Sequence, residues 1–276
     1  MMRTHRALPR RQWRAGRWQE GARPLPEEVP VALSYDGTTQ AVMMATPADL
    51  EDFGRGFSLT EGIAAPDEIA EISVVPQAGG IDVQISLVRP AAARLEQRRR
   101  HMAGPVGCGL CGLDSIEAAL GEIRPVPPSA LRLSATVIVR AMGLLPHGQS
   151  LHEATRAAHA AAFFRPDRGL IALREDVGRH NALDKLTGAL ARAGEDAQAG
   201  AVLITSRVSI DMVQKAAALG APVLIAASAP TAHAVRMAED AGITLIGLVR
   251  GDGFDCFTHP GRIDSPDAPL ETADVA

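Results

Sequence analysis

The chain has 276 residues, 46% hydrophobic but only 3% aromatic, with a net charge of −4, so a large core filled by alanine and aliphatics is available to one large domain or two medium ones. The negative balance argues against a nucleic-acid-binding protein as a whole, and three cysteines fit a reducing cytosol better than a disulfide scaffold. No apolar run approaches bilayer length and the arginine-rich start has no apolar signal core, so the expectation is a cytoplasmic protein with no membrane association.

In chain order, residues 1–24 are basic, carry both Trp13 and Trp18, and read as a disordered leader. A linker follows over 24–28. Residues 29–33 and 40–44 read as strands around Asp36-Gly37, a hairpin signal. Thr46-Pro47, with Asp49 three residues after the threonine, predicts a helix over about 49–61. Residues 72–75 and 81–88 are strand-like on either side of Gly79-Gly80, and the basic run 95–101 reads as a solvated helical face or a face offered to an acidic partner.

Cys108 and Cys111 sit in Gly107-Cys108-Gly109-Leu110-Cys111-Gly112, and Cys256 is the third cysteine. Behind them, Asp114 and Glu117 have capping-box spacing while Leu113, Ile116, Leu120 and Ile123 recur with helical period. A thiol ahead of a helix N-terminus has a lowered pKa, and the thiolate is the form that attacks, accepts or delivers sulfur. A zinc half-site would need two further ligands, and no second pair has the spacing. A zinc deaminase would need an H-x-E before its cysteines and a proline where Gly107 stands. A thioredoxin-type dithiol would need a small fold of its own around the motif.

The second half alternates strand and helix. Residues 160–164 and 170–173 flank Pro166-Asp167-Arg168-Gly169, and Asn181 is placed to cap a helix bearing Leu183, Leu186 and Leu190. Strands are expected at 201–205, 223–227 and 243–249, with helices at 210–219 and 231–241 closed by Gly220 and Gly242. Short continuous apolar strands between helices predict a covered, mostly parallel sheet. The tail from residue 264 reads as disordered.

Ligands of open α/β sheets bind outside the carboxyl ends of the strands. Those ends carry Thr205, Ser206 and Arg207, then Ser228, then Arg250, Gly251, Asp252 and Gly253. Hydroxyls, arginines and helix N-termini together suit phosphate or pyrophosphate, although ordinary capping also accounts for Ser209 and Thr231. No G-x-G-x-x-G or Walker loop is present. The densest polar cluster, residues 174–185, falls at a strand-to-helix junction. There His180 suits proton transfer and Arg179 an anion, with His159 facing the same region. Taken singly, each histidine reads more readily as a satisfied structural residue than as a functional one, and it is the charged cluster beside Gly178 that points to function.

With these segments in place, the chain resembles the FdhD/NarQ family of formate dehydrogenase accessory sulfurtransferases from about Val31 to Ile263. The resemblance is carried by Ala45-Thr46-Pro47, Thr60-Glu61-Gly62, the Cys108/Cys111 pair, the segment Arg174-Glu175-Asp176-Val177-Gly178-Arg179-His180-Asn181-Ala182-Leu183-Asp184-Lys185, Thr205-Ser206-Arg207 and Thr258-His259-Pro260. It departs where the family has Thr-Gly-Gly and this chain has Thr155-Arg156-Ala157. The resemblance implies an N-terminal α+β domain over 25–130 and a C-terminal cytidine-deaminase-like α/β/α domain over 131–263, without a zinc site. It implies a homodimer that takes persulfide sulfur from a cysteine desulfurase on Cys108, with Cys111 assisting. The sulfur would pass to the molybdenum or tungsten bis(molybdopterin guanine dinucleotide) cofactor before its insertion into formate dehydrogenase. By the same resemblance the cofactor-binding stretch maps onto Leu248, Val249, Arg250, Gly251, Asp252 and Gly253, joined by Thr205, Ser206, Arg207, Arg179 and His180.

Overall fold

The computed structural model of the chain describes residues 3–101 and 125–264. Where the sequence reads as a disordered leader, β1 (His5–Arg14) and β2 (Arg17–Pro26) pair antiparallel over their full length as a sheet of their own. Ala15 and Gly16 form the turn, both at positive φ (49° and 75°), as the tight turns that match strand twist require. Trp13 and Trp18 face each other across the strands beside that turn, edge to face with centroids 5.4 Å apart. Arginine density hides this cross-strand pattern in the sequence.

The next unit is a four-stranded sheet of β3 (Val29–Tyr35), β4 (Thr38–Ala45), β5 (Ile69–Gln77) and β6 (Gly80–Leu87), in the order β4-β3-β6-β5. Alternation sends Val31, Leu33, Tyr35, Ile81, Val83 and Ile85 to one face. There they pack with Phe53 and Phe57 of α1 (Leu50–Thr60) and with Ala91 and Leu95 of α2 (Arg89–His101). Helix α1, expected over about 49–61, runs from Leu50 to Thr60. Asp49 precedes it in the left-handed region with no side-chain cap, and the Thr46 hydroxyl instead accepts from Val177 N at 3.1 Å.

The larger unit holds a six-stranded sheet of β8 (His159–Arg165), β9 (Gly169–Asp176), β10 (Ala201–Ile204), β11 (Val223–Ala226), β12 (Thr244–Arg250) and β13 (Gly253–Cys256). Its order is β13-β12-β11-β10-β8-β9. Only β10/β11 and β11/β12 are parallel, so the sheet is mixed and not mostly parallel. The short turns joining β8 to β9 and β12 to β13 leave no room for a crossover, which forces antiparallel edges. A short β7 (Leu133–Ser134) pairs with β14 (Ile263–Asp264), and α3 (Ala135–Gly148) and α4 (Ser150–Thr155) follow β7. One face of the main sheet, with Phe163, Val202, Ile204 and Leu224, is covered by α5 (Arg179–Ala193), α6 (Ile210–Leu219) and α7 (Ala232–Asp240). The other face, with Phe164, Leu203, Ile225 and Ile246, packs on Ile138, Ala141 and Leu145 of α3.

The two units meet where α1 crosses α5, backbone against backbone. A Cβ on Gly56 would lie 1.7 Å from Asp184 O, and one on Gly188 would lie 1.9 Å from Asp52 O. Ion pairs built on the buried carboxylates of Asp52 and Asp184 ring the crossing. Asp52 accepts from Arg174 and Arg192, and Asp184 accepts from Lys215 and from the Thr60 hydroxyl, while Lys215 also reaches Glu61 at 2.8 Å. No helix among the described residues is long and apolar enough to cross a membrane.

Candidate site at the carboxyl ends of the strands

Because β8 runs antiparallel to β10 and β9 runs back again, the start of β8 and the ends of β9, β10, β11 and β12 share one edge of the sheet. That edge gathers His159, Arg179 and His180, Thr205 to Arg207, Ser228 and Arg250. The loops are tied side by side: Val208 N donates to Ala229 O (3.3 Å), Thr231 N to Val208 O (2.9 Å) and Leu248 N to Ser228 O (3.3 Å).

The sequence-identified residues do different work at this edge. Thr205 is a stitch, since its N–H donates to Ala160 O and its hydroxyl accepts from Ala160 N. Ser206 is buried and its hydroxyl donates to Arg207 O at 3.0 Å, whereas the Arg207 side chain is exposed. Beyond Gly247 the β12–β13 ladder slips register, with Leu248 and Gly251 at positive φ (56° and 59°). Val249 turns into the core, and Arg250, Gly251, Asp252 and Gly253 form an exposed tip. A Cβ on Gly247 would lie 3.1 Å from both Ser228 O and Pro230 Cδ, so glycine lets this strand lie close against the neighbouring loop.

The polar segment divides into a buried scaffold and a half-exposed pair. Asp176 is fully buried and accepts four hydrogen bonds, from Gly178 N, Asn181 Nδ2, Thr46 N and Lys185 Nζ at 2.6–3.0 Å. Asn181 therefore does not cap its helix. Its amide donates to Asp176 and to Met44 O, and Gly178 occupies the cap position of α5. Glu175 accepts from the Leu151 and His152 amides at the start of α4. These bonds bolt the β4–α1 junction to the β9–α5 junction and leave Arg179 and His180 half-exposed on the first turn of α5.

His180 Nε2 lies 3.1 Å from Asp211 Oδ2, which also accepts from the Ser209 hydroxyl at 3.0 Å. The bond from His180 outweighs partial burial and holds the Asp211 carboxyl below the usual range, so it is ionised and His180 Nε2–H is the donor. Sequence reasoning missed Asp211: it stands 31 residues from His180, and only the fold brings α5 and α6 together. Burial lowers the His159 imidazole below its ordinary value, and the charge of Arg179 acts in the same direction. At neutral pH the edge thus offers a neutral imidazole (His159), an oriented one (His180), and the guanidinium groups of Arg179, Arg207 and Arg250. That set binds anions and moves a proton.

Cys108 and Cys111 lie outside the described residues, as does the helix expected behind them. Arg94 of α2 lines a groove of about 520 Å³ with Glu68, Glu195 and Gly220, and Val126 N donates to Ala241 O at 2.9 Å. Both positions sit at the amino edge of β10–β12, opposite the strand ends. Cys256 lies on β13, where burial raises its thiol pKa. No group of three or more His, Cys, Asp or Glu placed to hold a metal ion occurs among the described residues.

Residues 26–264 match the FdhD/NarQ family. The chain is similar to the sulfur carrier protein FdhD of Agrobacterium fabrum, with 54% identity over 94% of this chain and 96% of that protein. It is 56% identical to the sulfur carrier protein FdhD of Brucella abortus over 89% and 92%, and 49% identical to that of Cupriavidus necator over 94% and 90%. Among solved structures it resembles that of a proposed formate dehydrogenase accessory protein from Desulfotalea psychrophila, with a TM-score of 0.77, 26% identity, and coverage of 95% of this chain and 100% of that one. Matched through both units of the fold and across the whole strand-end edge, the chain belongs to the FdhD/NarQ family.

Proposed function

We propose that this protein is a cytoplasmic sulfur carrier in the maturation of formate dehydrogenase. The observation that carries the reading is the convergence of Arg179, His180, Thr205, Arg207 and Arg250 on one edge, in a chain whose relatives are named sulfur carrier proteins. The Cys108 thiolate attacks the outer sulfur of a persulfide on a cysteine desulfurase, freeing the desulfurase thiolate and leaving a persulfide on Cys108. Arg179, Arg207 and Arg250 hold the diphosphates of the molybdenum or tungsten bis(molybdopterin guanine dinucleotide) substrate, and His180, oriented by Asp211, stabilises the sulfur as it leaves. Attack of the Cys111 thiolate on the inner sulfur of the Cys108 persulfide expels the outer sulfur as hydrosulfide, which passes to the bound cofactor substrate; the electron pair comes from the Cys111 thiolate and a Cys108–Cys111 disulfide remains. The larger domain acts as a cytidine-deaminase-like scaffold whose cleft binds this ligand without zinc, within a homodimer.

The anion-binding edge is complete without the cysteine pair, which favours a second reading, a cofactor-binding chaperone that moves no sulfur. In a host lacking its own copy of the gene, Cys108→Ala is expected to abolish formate dehydrogenase activity while the variant keeps its wild-type melting temperature. Full activity from the Cys108→Ala/Cys111→Ala double variant would establish the chaperone reading instead.

A further inference from the structure

The proposed chemistry makes no use of the β1–β2 hairpin, almost all of which precedes the family-matched residues 26–264. Its two faces are chemically segregated. By register and strand alternation, Arg6, Arg10, Arg14, Arg17 and Arg23 fall on one face, which has no acidic residue within the two strands. Trp13, Trp18, Arg11 and Glu20 fall on the other, among alanines and prolines. The tryptophans are 59% and 58% exposed, and the Arg11 guanidinium lies 5.4 Å from the centroid of the Trp18 ring.

The base of the hairpin is held by Arg23 Nη2 donating to Thr155 O (3.3 Å) and by the Arg6–Glu27 ion pair (2.8 Å). Thr155 ends α4, the helix whose His152 acts electrostatically on His159, so the hairpin is rooted beside the strand-end site. Ten residues at about 3.4 Å each put the tip roughly 30 Å from that root. A two-stranded ribbon with neither face buried is marginal on its own in water, and exposed Trp and Arg are the side chains that carry most energy at protein interfaces. Pro9, Pro24 and Pro26 remove edge donors, so recognition uses the faces of the ribbon and not strand addition. The first 26 residues contain seven arginines and one glutamate, so the remainder of a chain of net charge −4 carries −10. The ribbon therefore presents concentrated positive charge on a net-negative body, which suits an acidic protein surface.

We propose that the β1–β2 hairpin is a docking arm for an acidic protein surface, that of the apo-enzyme receiving the finished cofactor at the strand-end site. The inference rests on the reading above, under which the receiver is apo-formate dehydrogenase. The sulfur donor is read as meeting the Cys108 segment, whereas the cofactor is read as held at the strand-end edge beside the root of the arm. The receiver has to come to that edge.

The test is biolayer interferometry of the full-length protein against purified apo-formate dehydrogenase. It compares wild type with Arg10→Glu/Arg14→Glu/Arg17→Glu and with Trp13→Ala/Trp18→Ala. Each variant should weaken binding by about 30-fold or more, as loss of hot-spot contacts does. Added salt should weaken wild-type binding, while persulfide loading by cysteine desulfurase and the sedimentation coefficient stay at wild-type values. Absence of wild-type binding, or unchanged affinity in both variants, would overturn the arm. So would an effect confined to desulfurase loading or to self-association, which would assign the ribbon to the donor or to a second copy. Wild type that accepts no sulfur, yet binds the apo-enzyme through the arm, would sink the carrier reading and leave the docking role standing.

Discussion

Asp176 is the residue on which the geometry of the strand-end edge most depends, and its partners allow the cost of losing it to be worked out. Its carboxylate meets Lys185, whose ammonium is fully buried at 2.6 Å and, among the described residues, has beyond it Thr46 O at 2.9 Å and the Phe53 ring. Asp176→Asn keeps the shape but strands that charge, and breaking a buried pair from one side costs about 3–5 kcal/mol. Lys185→Met is milder. The carboxylate then keeps Thr46 N, Gly178 N and Asn181 Nδ2, so the loss is that of one charged hydrogen bond, about 1.5–3 kcal/mol. The double variant should be more stable than the sum of the singles implies, because neither charge is left alone. Urea denaturation at neutral pH reads all four proteins, and Asp176→Asn should also lower the melting temperature by on the order of 10 °C. An Asp176→Asn cost below about 1 kcal/mol, or a larger cost for Lys185→Met than for Asp176→Asn, would refute the reasoning.

Gly188→Ala should cost at least about 3 kcal/mol, because its Cβ would meet the Asp52 carbonyl and force α1 off α5; calorimetry measures this. Asp52 is held below the usual carboxylate range, its burial outweighed by the bonds from Arg192 and Arg174. With the folded value depressed, its stabilisation is present above about pH 4 and lost as pH falls through the folded value, so Asp52→Asn should flatten the acid limb of a stability–pH curve. The His159 imidazole should titrate below about 6.5 by NMR, and Arg179→Ala should move its midpoint upward; an unmoved midpoint would count against their proximity. Arg207→Ala and Arg250→Ala should each weaken cofactor binding about tenfold in equilibrium dialysis, the loss of one charged contact.

Elements punctuated locally were legible in the sequence. Helix α6 runs from Ile210 to Leu219 as expected because Gly220 closes it in the left-handed region, at φ 82°. The strands 201–204 and 223–226 were equally plain as short apolar runs between helices. Helix α3 escaped notice because Thr136-Val137-Ile138-Val139 is a β-branched run, and its burial against the sheet at Ile138, Ala141 and Leu145 overrides that propensity. The Ser134 cap, which accepts from Val137 N, was the available signal. Strand direction was not legible either, since apolar runs look alike in parallel and antiparallel neighbours. The polar segment 174–185 was visible as a cluster, but its division into a buried scaffold around Asp176 and a half-exposed pair at Arg179 and His180 depends on Thr46 and Asp211, both distant in sequence.

The most direct measurement of the central claim is intact mass under non-reducing conditions, after incubating the purified protein with an active cysteine desulfurase and cysteine. The account predicts a gain of one or more sulfur atoms that disappears in Cys108→Ala. No gain, or the same gain in Cys108→Ala, would contradict it.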